Sequence, residues 1–358
     1  MMGQYKKVTT VDIARLAGCS QSTVSMILSH NPHARFSQKM VDQVLSAAEQ
    51  LGYSKYSMKK QLVNAAQNIL VVFPNFTNPY YTMLMEAIQN SCQRAGYGVI
   101  CFCTMRKRGE EERLFGMINS MPVAGIIYTY CTSNTDIIQR LCDTKPLIVI
   151  GDKDETIDAD SVELNSIKCG KIMAEHLLRL GHRKIAYIST PVDTQQLARF
   201  RRLTGIKMQF EKHGITDGVI LRTKANIDSD EPANMFTEYS TGYDLTRELV
   251  QDDEGVTAIV GLNDMVALGV MDALLDENLR IPQDYSVMGC DNTIIGRMRR
   301  ISLTSVEHYI SAKGRQAVEI MLSKLETKEE KTGALPKIVR VEYEPRVVVR
   351  ESTGACRK

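Results

Sequence analysis

Tryptophan is absent from this chain, and histidine and proline are scarce, at six and ten of 358 residues. Any aromatic wall of a binding site must therefore be built from tyrosine or phenylalanine. The histidines form no metal-spaced cluster, and none of the nine cysteines belongs to a Cys-x-x-Cys pair. No metal site is expected from such spacing. A Gly-x-Ser-x-Gly elbow and a phosphate-cradling P-loop are missing too, which removes the common signatures of hydrolases and nucleotide-using enzymes. The expectation is a protein that is not an enzyme and carries no cofactor. No apolar run reaches the roughly 18 residues that a membrane span requires. Met1 to Lys7 lead into a polar helical pattern and not into the apolar stretch of an export signal. The expected location is cytoplasmic, with no membrane partner. Cys101 and Cys103 alternate on an apparent strand and read as packing residues.

What the chain does contain is unevenly distributed. Its length suits two or three domains rather than one. The net charge of +2 is small, yet residues 1–62 hold eight basic side chains against Asp12, Asp42 and Glu49. A small basic head on a mildly acidic body points to a polyanion partner for the head alone.

The chain changes texture near residue 68. Residues 8–53 read as three short helices. Thr9 and Asp12 have capping-box spacing, Gly18 ends the first helix, and Ser37 caps the third. Beyond them, apolar segments at 69–73, 99–103, 124–128, 147–150, 184–188, 219–222, 258–261 and 286–289 read as strands. Amphipathic segments such as 81–94, 168–180, 203–213 and 265–277 read as helices between them. This alternation predicts parallel sheets covered on both faces. About eight such units exceed one small doubly wound domain, so two sheets are expected. The acidic stretch 152–160 is the expected crossing between them, and 338–341 with 346–350 read as strand.

The strongest local motif runs Asp12-Ile-Ala14-Arg-Leu-Ala-Gly18-Cys-Ser20-Gln-Ser22-Thr-Val24-Ser25. A helix-turn-helix needs a small residue where its helices cross, a glycine in the turn and a buried branched residue on the second helix. Ala14, Gly18 and Val24 supply them. Gln21, Ser22 and Ser25 then face outward and can hydrogen-bond base edges or phosphates. The alternative is a helical hairpin with incidental polar residues; spacing and charge favour DNA.

Residues 8–25, followed by Leu51-Gly52-Tyr53, resemble the DNA-binding head of the lactose/galactose-repressor (LacI/GalR) family of transcriptional regulators. The resemblance continues through Pro74-Asn-Phe-Thr-Asn78-Pro79-Tyr80-Tyr81 and His176-Leu-Leu-Arg-Leu-Gly181-His182-Arg183-Lys184. It extends to Asn263-Asp264-Met-Val-Ala267-Leu268-Gly269, Ser286-Val-Met-Gly289-Cys-Asp291 and Pro345-Arg-Val-Val-Val-Arg350.

The resemblance implies an all-α helix-turn-helix head at 8–53 and a hinge at 54–66. It also implies an α/β core at 67–358 whose two doubly wound lobes resemble periplasmic binding proteins. The first lobe would take about 67–160 and 306–335, the second about 161–305 and 336–358. It further implies a homodimeric repressor that binds operator DNA and a small effector, most naturally a sugar or sugar derivative. A purine, a nucleoside or a protein co-repressor are alternative effectors; a solute-binding protein or an enzyme is the alternative of another class. Operator contacts fall on Thr9, Gln21, Ser22, Thr23, Ser25, Met26, Tyr53, Lys59 and Leu62. Effector contacts fall on Tyr80, Tyr81, Asp152, Arg202, Asn263 and Asp291, although each could instead serve as a salt bridge or cap. Residues 193–199 resemble a ligand-selecting loop. Three departures stand out. Met26 occupies a place that is usually Arg, Lys55, Tyr56 and Lys59 replace the usual hinge residues, and no tryptophan is available.

Overall fold

Asp12 closes the start of the first helix: its carboxylate accepts from the Thr9 backbone N–H at 2.9 Å and from the Thr9 hydroxyl at 2.7 Å. The computed structural model describes residues 8–28, 36–51, 53, 68–118, 120–132, 134–152, 157–192, 197–224, 237–329 and 337–357. Two compact units result, Met1–Asn68 and Ile69–Lys358.

In the first unit, α1 (Thr10–Ala17), α2 (Gln21–Leu28) and α3 (Gln38–Gln50) surround a small core. Gly18 ends α1 at φ 66, a left-handed turn that only glycine adopts without strain. The Ser20 hydroxyl accepts from the Thr23 N–H at 3.1 Å and starts α2. Ile13, Ala14, Val24, Ile27, Val44, Ala47 and Ala48 are buried together. Burying each branched side chain contributes about 1.5–3 kcal/mol.

The second unit holds two six-stranded sheets. The first uses β1 (Asn68–Phe73), β2 (Gly98–Cys103), β3 (Gly125–Tyr128), β4 (Leu147–Ile150), β5 (Asp160–Leu164) and β11 (Arg340–Tyr343), in the order β2-β1-β3-β4-β5-β11. The second uses β6 (Ile185–Ser189), β7 (Val219–Thr223), β8 (Ala258–Gly261), β9 (Ser286–Asp291), β10 (Thr304–Glu307) and β12 (Arg346–Val348), in the order β7-β6-β8-β9-β10-β12. Pairing is parallel from β1 through β3, β4 and β5 to β11, and from β7 through β6, β8 and β9 to β10. Only β12 runs antiparallel to its neighbour β10 among these pairs.

Alternate residues of β1 face opposite layers. Ile69 and Val71 pack under α4 (Pro79–Arg94) and α11 (Ile310–Glu329), while Leu70 and Val72 pack under α5 (Arg108–Ile118) and α6 (Thr135–Cys142). Burial on both faces explains why these strands read as continuous apolar runs. The second sheet is covered by α7 (Ser166–Arg179), α8 (Leu197–Lys212), α9 (Thr237–Asp252) and α10 (Asp264–Asp276). Helices α7 and α8 touch backbone to backbone: a Cβ on Gly170 would sit 2.1 Å from the Arg202 carbonyl oxygen, and one on Gly205 equally close to that of Ile167.

Several expectations are corrected by these pairings. Stretch 152–160 is not the crossing between lobes, because β4 and β5 are parallel neighbours with Ile148 opposite Asp160. The chain crosses after Leu164, returns after Glu307, and crosses again between Tyr343 and Arg346. Thus 161–164 and 340–343 belong to the first sheet, and 306–307 to the second. Strand β5 was hidden by its polar residues. Asp160 is buried, accepting from the Val339 N–H at 2.7 Å and pairing with Lys324 at 3.0 Å. Cys101 is exposed and not packed inside, because β2 is an edge strand.

Candidate functional site

In both sheets the strand order reverses beside the first strand, between β1 and β3 and between β6 and β8. Open parallel sheets leave a crevice beyond the carboxyl ends of their strands at such points. A cavity of about 130 Å³ lies there, between the lobes. It is lined by all six sequence-predicted effector residues, Tyr80, Tyr81, Asp152, Arg202, Asn263 and Asp291.

From the first lobe, Asn78 caps α4 by accepting from the Tyr80 N–H at 2.9 Å, which sets both tyrosines on the first turn. The Tyr80 hydroxyl accepts from Lys313 Nζ at 2.9 Å, and that of Tyr81 from Arg106 Nη2 at 3.0 Å. Burial raises the pKa of both phenols, so they remain neutral. Asp152 follows β4 and accepts from the Ser166 N–H at 3.0 Å, with Arg201 at 3.9 Å. Burial pushes its pKa up against those contacts.

From the second lobe, Asn263 caps α10 through the Val266 N–H at 3.0 Å, leaving its amide NH₂ as a donor. Buried Arg202 donates to the Leu262 carbonyl, while its Nε has no hydrogen-bond partner among the described residues. Asp291 ends β9 at φ 141, a strained conformation. The turn is held by Asp264, which accepts from the Thr293 N–H at 2.7 Å and the Ser305 hydroxyl at 2.6 Å. Burial drives the Asp291 pKa upward, and Cys290 and Asp264 add to the shift.

Among the cleft residues that the sequence did not mark, four carry a charge or an imidazole. Lys313, 1% exposed, donates to Tyr80 and to His308 Nδ1 at 3.2 Å; burial pushes its pKa down to about 8. His308 packs edge-on against Tyr80 and presents Nε2 to Asp291 at 3.9 Å. Arg106 stacks 4.8 Å over the Tyr130 ring. Glu238 accepts from Asn78 across the cleft at 2.7 Å. Arg199, another lining residue, was flagged only as the end of the 193–199 loop; 193–196 lie outside the described residues. Cys290, Asp291 and His308 do gather within 4.8 Å. With a protonated Lys313 donating to Nδ1, however, the imidazole carries its proton on Nε2, which suits a hydrogen-bond donor and not a metal ligand. Carboxylates, amides and cations converging at strand ends can orient the hydroxyls of a small polar molecule.

The family described as periplasmic binding protein-like domain matches residues 174–353, and that described as bacterial regulatory proteins, lacI family, matches residues 9–55. The chain belongs to the lacI family. It is 27% identical over 349 residues to the HTH-type transcriptional repressor PurR of Haemophilus influenzae (strain PittEE), covering 96% of this chain and 98% of the relative. To the ribose operon repressor of Escherichia coli (strain K12) it is 27% identical over 326 residues, covering 88% and 93%. A LacI family transcriptional regulator from Enterococcus faecium, solved with bound ribose, superposes with a TM-score of 0.67 at 24% identity. That match covers 81% of this chain and 100% of the other.

In the head of this lacI-family protein, Gln21, Ser22 and Ser25 are exposed on α2 and Met26 is half-buried. Gln21 also donates to the Thr10 hydroxyl at 3.1 Å. Thr9 is exposed but engaged with Asp12, and Thr23 bonds Ser20 at 2.8 Å. Tyr53 packs against the head core. Lys59 and Leu62, with the hinge, lie outside the described residues. No described helix is long and apolar enough to cross a membrane.

Proposed function

We propose that this lacI-family chain is a cytoplasmic, homodimeric repressor whose two heads read a roughly palindromic operator and whose cleft binds a small polar effector. The observation that carries the reading is the convergence of Tyr80, Tyr81, Asp152, Arg202, Asn263 and Asp291 on one interlobe cavity. They come from five separate stretches of sequence, and both lobes contribute. A ligand touching both lobes favours one closure state, which couples the cleft to the DNA-binding unit.

A sugar or sugar derivative fits these hydroxyl-orienting groups, and the relatives include a ribose operon repressor. A purine is the second reading, favoured by the likeness to PurR proteins and by the Tyr81–Arg106–Tyr130 arrangement, which offers aromatic surface. No catalytic role is assigned to any of these groups. A melting screen of the intact chain with sugars, sugar phosphates, nucleosides and purines tests the reading, since a bound effector raises the melting temperature by mass action. A hit should then alter retardation of operator DNA; a screen without any such compound contradicts it.

A further inference from the structure

The cleft holds four cations, Arg106, Arg199, Arg202 and Lys313, and three carboxylates, Asp152, Glu238 and Asp291. Each carboxylate has a neighbour of its own. Asp152 caps Ser166 and faces Arg201, Glu238 accepts from Asn78, and Asp291 lies against His308. Two cations are similarly engaged, Arg202 by the Leu262 carbonyl and Lys313 by Tyr80 and His308.

Arg106 is only partly engaged, and Arg199 is not engaged by any described residue. Arg106 follows β2 in the first lobe, donates one Nη2 hydrogen to Tyr81, and covers the Tyr130 ring. It is held at φ 54, directly after Met105 at φ 50, two strained residues in succession at a cleft rim. Arg199, on the first turn of α8 in the second lobe, is half-buried and makes no hydrogen bond or ion pair with any described residue. Burial, then Arg106, pull the Arg199 pKa down to about 10, while the Glu238 carboxylate supports the charge of both arginines. Glu238 offsets part of this charge, but one carboxylate does not balance two partly dehydrated guanidinium groups from opposite lobes, and an added anion between them is favourable.

We infer that the effector carries an oxyanion group, a phosphate ester or a carboxylate, held between Arg106 of the first lobe and Arg199 of the second. This rests on the reading of the cleft as the effector site and names the chemical class of its ligand. Each guanidinium offers a planar fork of donors that matches a phosphate or carboxylate edge. Because the forks belong to different lobes, one anion draws both together and closes the cleft. The sugar hydroxyls then face Asp152, Asn263 and Asp291.

The test uses the full-length chain with Arg106→Gln and Arg199→Gln variants. Each is melted with inorganic phosphate, with pentose and hexose monophosphates, with sugar acids, and with the parent free sugars. Without ligand, Arg199→Gln should melt at or above the wild type, because it relieves the repulsion; a merely structural arginine would give the opposite. With phosphate esters or sugar acids, only the wild type should gain strongly, and the affinity of either variant should fall roughly tenfold or more. Response to the phosphate esters assigns the phosphate form, response to the sugar acids the carboxylate form, and both support the inference. If no anion of the panel binds, or if both variants bind the anions as the wild type does, the inference is overturned. A neutral sugar or purine that changes operator retention equally in all three proteins also overturns it, while leaving the cleft an effector site. An anion that binds through both arginines without changing operator retention contradicts the regulatory reading instead.

Discussion

The Asn78 side-chain amide donates to the Glu238 carboxylate at 2.7 Å and thereby joins α4 of the first lobe to α9 of the second. The same Asn78 caps α4 with its oxygen, so one residue both fixes the first turn bearing Tyr80 and Tyr81 and reaches across the cleft.

Removing either partner should therefore have unequal effects. Glu238→Ala loses only the interlobe bond, and Asn78→Ala loses the bond and a cap worth about 0.5–2 kcal/mol. Chemical denaturation should rank Asn78→Ala as the more destabilised, and Asn78→Ala should also bind effector more weakly, because the turn bearing Tyr80 and Tyr81 loosens. Equal stability losses would show that the cap is not formed.

Gly205 makes a second prediction. A methyl group there would meet the Ile167 carbonyl oxygen at 2.1 Å, and backbone cannot yield as a flexible side chain does. Gly205→Ala should cost about 1–3 kcal/mol and should weaken effector binding as well, because α8 carries Arg199 and Arg202. Unchanged denaturation would mean that the helices separate freely.

Lys313 makes the cleft sensitive to alkaline pH. Its pKa of about 8 lies below the ordinary lysine value of 10.5. Below pH 8 the ammonium is charged and donates; as pH rises through 8 it deprotonates, and affinity for an effector that accepts from it should fall. Folding stability moves the other way. Between pH 8 and 10.5 the unfolded chain holds the proton that the folded chain has lost, so stability rises with pH across that window. Asp291, Asp152, Cys169 and Cys290 act on the ammonium electrostatically, and Tyr80 and His308 accept from it; of these the carboxylates support its charge. Calorimetric titration of effector at pH 7 and pH 9 should show the loss in the wild type and not in Lys313→Met. A loss of the same size in both would place the titration elsewhere.

The parts legible in the sequence were those with local or periodic signals. Val24 and Gly18 marked the head because a helix crossing and a left-handed turn restrict residue type locally. β1, β4 and β8 were legible because strands buried on both faces are apolar throughout. β5 was not, because its buried Asp160 and Ser161 read as loop until Val339 and Lys324 are brought to them from far along the chain. The six expected cleft residues could be named through family motifs, whereas Lys313 and His308 could not. A lysine on a long amphipathic helix reads as solvated, and only the fold brings Tyr80, 233 residues away, to its ammonium.

The central claim, that the cleft controls DNA binding, is tested most directly by retardation of operator DNA with wild type and Asp291→Asn, both titrated with the effector found by melting. Asp291→Asn is the more informative choice than Arg202→Ala, because Arg202 also holds the Leu262 carbonyl and its loss would disturb the fold. The account predicts equal operator affinity without effector. It also predicts that the variant needs roughly tenfold more effector, or more, to respond, as for a lost hydrogen bond to a charged group. An unchanged effector response in Asp291→Asn, or a joint loss of operator binding and thermal stability, would contradict it.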